Sequence, residues 1–178
     1  MWTVIFEPFL NNNKKMKTKT ITIIALLISL FILISCNNSS EAFFNSNKNE
    51  KQIKKTLEKL LLSLENKNID LLESTMSPSG KMELIVPSTE ITYTVDEFVN
   101  FHKEWFKDST WSMSTKIINI ESGKYIGTAT TEAIYKEPDR NGKPYFNHMI
   151  VSYVLKKEND NNWYVIKDHA SSLKKSTD

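Results

Sequence analysis

Trp163-Tyr164-Val165-Ile166-Lys167-Asp168-His169-Ala170-Ser171-Ser172 closes a run of strand-forming segments that no helix interrupts. Three more precede it: Trp111 to Ile120, Tyr125 to Glu137 and Tyr145 to Lys157, all rich in β-branched and aromatic residues. The connections carry turn chemistry, in Glu121-Ser122-Gly123, in Pro138 to Pro144 around Asn141-Gly142, and in Asn159 to Asn162. The pattern predicts an antiparallel meander. In the third segment Met149, Val151, Tyr153 and Leu155 form one apolar set, while His148, Ile150, Ser152 and Val154 are half apolar. A solvated face alternates more cleanly, so both faces are expected to be at least partly covered.

Upstream the period changes to that of a helix. Ile53, Leu57, Leu60, Leu61 and Leu64 predict an amphipathic helix from about Glu50 to Glu65. A short second helix is expected over Ile69 to Met76, ended by Pro78 and Gly80, then a strand over Lys81 to Val86. Thr94-Val95-Asp96-Glu97 has the form of a capping box and opens a third helix, expected to end near Asp108, with Phe98, Phe101, His102, Trp105 and Phe106 on one broad face. The fold class is α+β: three N-terminal helices on a curved antiparallel sheet.

Before the helices, Asn37 to Asn49 is rich in Asn and Ser and reads as a tether. Ile21 to Ile34 is apolar except for Thr22 and Ser29. As a helix its 14 residues cover about 21 Å, short of the roughly 30 Å hydrocarbon core. With Lys14, Lys15, Lys17 and Lys19 ahead of it and Ser35 behind, it predicts an export signal over residues 1–35. Met16-Lys17-Thr18-Lys19 is itself a conventional signal start, which makes residues 1–15 a candidate mis-assigned start. Leu33-Ile34-Ser35-Cys36 resembles the bacterial lipobox, and that resemblance implies a lipid on Cys36. The expected organisation is then a lipidated Cys36 and tether to residue 49, a domain over 50–172 and a tail over 173–178. The expected location is the cell envelope, on the outer membrane first, facing the periplasm or the surface.

Cys36 is the only cysteine, so neither an internal disulfide nor a thiolate cluster can form in one chain. The chain carries +2 overall, but from Cys36 onward 19 basic residues meet 20 acidic ones, which leaves −1. Without a clustered positive excess, nucleic acid is not an expected partner.

The element order and the closing strand, with its Trp163 and its His169 followed after one residue by Ser171, resemble the nuclear transport factor 2-like superfamily, within it the SnoaL-like group. The resemblance spans residues 50 to 172. It implies a cone-shaped pocket between helices and sheet, and dimerisation through the outer sheet face in many members. Isomerases, cyclases, dehydratases and members without known activity share the fold, so chemistry must come from the site. The carboxylate, Tyr and protonated Asp of the ketosteroid isomerase site have no counterpart that can be placed from the sequence.

Trp105, Trp111, Tyr153, Trp163 and His169 are the expected pocket residues. Strict alternation puts His169 on the face of Trp163 and Val165, with Asp168 on the other. His169 is then a candidate base or a structural histidine. Glu132 is the second candidate. An Asn141-Gly142 two-residue turn sets it opposite Val151 on the core face, whereas a register one residue over turns it outward beside Ile150. Pro138 and Pro144 leave that choice open. His102 reads as a hydrogen-bonded core residue. His102, His148 and His169 lie on separate elements without ligand spacing, so no metal and no cofactor are expected. The leading function is an envelope-anchored module that binds a small apolar molecule or a protein, with an acid–base SnoaL-like enzyme acting on a small carbonyl compound as the alternative. A homodimer is expected through Ile150 and Val154, with Ala133, Tyr135, Tyr164 and Ile166 as apolar neighbours.

Overall fold

Bulges in the long strands decide which side chains meet the helices. A computed structural model describes residues 46–87 and 91–176. The export segment, Cys36 and most of the tether lie outside these residues. Helix α1 spans 46–65, beginning a few residues before the expected start, and buries Ile53, Leu57, Leu60, Leu61 and Leu64. Asn49 Nδ2 donates to the Gly123 carbonyl at its first turn, and Glu65 accepts from Thr115 N and Oγ1 at its last. Lys67, at φ 54°, ends the helix in the left-handed region. Asn68 then caps α2, Ile69–Glu73, by accepting from the Leu71 amide.

Strands β1 (Lys81–Ile85) and β2 (Ile91–Thr94) precede α3 (Val95–Trp105). Both halves of the capping box at Thr94 and Glu97 are present. β2 was not legible as a strand. The meander follows as β3 (Ser112–Ser122), β4 (Ile126–Arg140), β5 (Lys143–Lys157) and β6 (Trp163–Lys175). Together the strands form a curved, unclosed six-stranded sheet in the order β2-β1-β6-β5-β4-β3. One pair departs from the antiparallel expectation, since β1 runs parallel to β6. The chain between them includes α3, as a parallel crossover requires.

Helices and inner sheet face share a single core. At the end of the sheet nearest the start of α1, that core is solid. A Cβ added to Gly127 would stand 2.3 Å from Ile53 Cδ1, so the missing side chain is what lets α1 lie this close. Leu155, Val165 and Trp163 complete the same region. β6 also runs on to Lys175, so residues 173–175 of the expected tail belong to the sheet.

Candidate functional site

Toward the β4–β5 hairpin the helices no longer fill the sheet, and a cavity of about 320 Å³ remains. Its volume lies at the lower end of the range for small-molecule sites. Most of the wall is apolar: Leu64, Phe101, Trp105, Met113, Met149 and Val151. Val86, Pro87, Arg140 and Tyr145 are only half-buried and rim the opening, whereas Asp168, Tyr153, Val151 and Ala133 are buried beneath.

Asp168 reaches the cavity through a bulge. Leu155 pairs with Val165 and Val154 with Lys167, so Ile166 is an extra residue that reverses the alternation beyond it. Trp163, Val165, Asp168 and Ala170 therefore face inward, and His169 is exposed on the other face. The expected orientation of His169 and Asp168 is reversed. Asp168 sits directly between Leu84 of β1 and Tyr153 of β5. Among the described residues its carboxyl has no hydrogen-bond partner. Burial pushes it up to about 7, so it is half protonated near neutrality.

Glu132 has the opposite history. Asn141 and Gly142, both at positive φ, do form the two-residue turn, with Arg140 opposite Lys143. A register shift between Glu137 and Arg140 then cancels the inward placement, and Glu132 pairs with Ile150. On the outer face it meets His148 Nε2 at 2.7 Å. The same shift sends Ala133 and Tyr135 inward, so neither belongs to the outer apolar patch.

Of the expected pocket residues, Trp105 and Tyr153 line the cavity. Trp111 stacks behind Trp105 at 4.3 Å and donates from Nε1 to the Trp105 carbonyl. Trp163 lies in the solid part of the core. His102 lines the cavity wall, and its Nδ1 lies 2.8 Å from the Phe98 carbonyl. Burial lowers its pKa to about 4, so at neutral pH the ring is uncharged and Nδ1–H donates. His102 is inside while His148 and His169 are outside, so the three do not converge. Desolvation also raises Tyr153, with the Asp168 carboxylate beside it adding to the effect.

At the rim, the Tyr135 hydroxyl donates to Glu137, and Arg140 binds the same carboxylate through Nε and a terminal nitrogen. Arg140 stacks over Tyr145 at 3.4 Å. Its charge is therefore already paired with Glu137. Among the described residues no group of three or more His, Cys, Asp and Glu is placed to hold a metal ion.

Comparison with known proteins gives the family. The SnoaL-like domain model matches residues 53–174, and the chain belongs to that family. Among solved structures it is similar to a ketosteroid isomerase-like protein from Erwinia carotovora atroseptica (TM-score 0.62, 14% identity, 72% of this chain and 98% of that one). It is similar too to a nuclear transport factor 2-like protein from Salmonella enterica (0.60, 16%, 72% and 93%). A third is a dehydratase-like protein of the same fold family from Streptomyces avermitilis (0.61, 12%, 72% and 98%). At such identities these likenesses establish the fold alone. No curated protein matches the sequence.

Proposed function

We propose that this is a lipid-anchored envelope protein whose domain binds a small, mostly apolar molecule bearing one hydroxyl or carbonyl group. The observation that carries this reading is Asp168, a buried carboxyl lining an apolar cavity, with no hydrogen-bond partner among the described residues. Burying such a group unbonded is costly, and native structures seldom leave one so. A ligand oxygen satisfies it, accepting from the protonated acid or donating to the carboxylate. Apolar walls supply most of the affinity.

The test is binding of hydrocarbon ligands with and without a terminal hydroxyl or ketone, followed by calorimetry. The oxygenated ligand binds, and Asp168→Ala weakens it about tenfold, the worth of one buried hydrogen bond. Equal affinity for both ligands contradicts the reading.

Asp168 also favours a second reading, acid–base chemistry on a carbonyl compound. A carboxyl poised near neutrality beside Tyr153 suits proton transfer better than exposed His169 or outward Glu132 does. Deuterium exchange next to the carbonyl of a bound ketone, lost in Asp168→Asn, distinguishes the enzyme from a binding protein.

A further inference from the structure

The end of the domain where the chain enters carries an exposed aromatic and apolar pair amid lysines. Tyr125 and Ile126 are 58% and 47% exposed. Lys124 Nζ lies 5.0 Å from the Tyr125 ring centre. The Lys157 amide donates to the Tyr125 carbonyl, and Asn49, one residue beyond exposed Lys48, is bonded to Gly123. Ser46, the first residue of α1, lies against Ser122, with the two hydroxyl oxygens 3.2 Å apart. Glu50 and Glu121 flank the group, accepting from Ser46 and Asn119, so three lysines stand against two carboxylates.

Nine residues, Asn37 to Asn45, separate Ser46 from Cys36. Even fully extended, the chain from Cys36 reaches only about 36 Å. The cavity rim lies at the other end of β4, at Arg140, up to about 46 Å further along the strand. A short tether holds the near end on a surface without stretching, whereas seating the rim there would lift the near end by up to about 46 Å, more than the extended tether spans.

We propose that Lys48, Lys124, Tyr125, Ile126 and Lys157 form a membrane-contacting pole, so that the cavity opens away from the bilayer that holds the anchor. Tyr125 sits at headgroup depth, as aromatic residues do at interfaces, and the lysines meet anionic phosphates. The ligand then exchanges with the aqueous side and is not drawn from the anchoring leaflet. This rests on lipid at Cys36 and deepens the binding reading.

The full-length lipidated protein, labelled with an environment-sensitive dye through Tyr125→Cys or, at the hairpin tip, Lys143→Cys, is reconstituted in vesicles of phosphatidylethanolamine and phosphatidylglycerol. Spin-labelled lipid quenches the dye at 125 several-fold more than at 143. Lys124→Gln lowers the docked population about fivefold. Protein that floats with vesicles but shows equal quenching at both positions overturns the orientation alone. Protein that does not float overturns the anchor and the orientation together.

Discussion

The two ends of one inner sheet face are built from the same kinds of residue and do opposite things. At the Gly127 end, α1 comes close enough that Ile53 fills the space a side chain would occupy, and the core is solid. Toward the hairpin, Met149 and Val151 face a cavity, and the floor between the two ends carries Asp168. Helix approach, not strand composition, decides where a hole remains. A buried acid is tolerable only beside such a hole, where a ligand or water can reach it.

Core truncation exposes the contrast most strongly. Leu57→Ala lowers unfolding free energy by about 2–5 kcal/mol, because the packed end leaves a sealed void. Met149→Ala, on a wall that already borders open space, costs about 1 kcal/mol or less. Denaturant melts of both variants measure the difference, and equal losses would erase the distinction between the ends.

Stability against pH sharpens it further. Asp168 has a folded pKa raised from 3.8 to about 7, so its ionisation adds no penalty below pH 4 and stability falls as pH rises from 4 to 7. The sum is about 4 kcal/mol. His102 has a folded pKa lowered from 6.5 to about 4, so its contribution is full above 6.5 and is lost as pH falls to 4, about 3 kcal/mol in all. Between pH 4 and 6.5 the slopes of these two groups cancel. Asp168→Asn unmasks the histidine, and stability then rises with pH over that window. His102→Leu unmasks the acid, and stability falls from pH 4 to 7. Parallel profiles for the two variants would contradict the placement of both side chains.

Helices α1 and α3 and the four long strands were legible because their periods persist over ten or more residues. The orientation of the site was not. Alternation carries a face assignment only as far as the next bulge, and one extra residue at Ile166 moved Asp168 inward and His169 outward. The adjoining apolar pair Val165-Ile166, where alternation loses its phase, was the available signal. Glu132 failed to resolve for the same reason: the turn was readable from Asn141-Gly142, but the compensating shift beside Pro138 was not. β2, with only four residues, offers too little pattern to recognise.

The smallest expected effect concerns the outer sheet face. Corrected for register, its half-buried apolar residues include Ile134, Ile150 and Val154, close to the Glu132–His148 pair, and the expected neighbours Tyr164 and Ile166. We propose that a second copy covers this patch by two-fold packing. Ile150→Lys then shifts sedimentation of the fragment from Asn37 onward toward monomer and leaves its stability within about 0.5 kcal/mol. A wild-type fragment that is monomeric at tens of micromolar would exclude the dimer.

The claim on which the rest depends is that Asp168 faces the cavity and is held protonated into the neutral range. Carboxyl ¹³C resonances followed against pH, with Asp168 assigned by its loss in Asp168→Asn, test it directly. The midpoint is expected near 7 and moves when an oxygenated ligand fills the cavity. A midpoint near 4, unmoved by ligand, would place Asp168 in water and contradict the account.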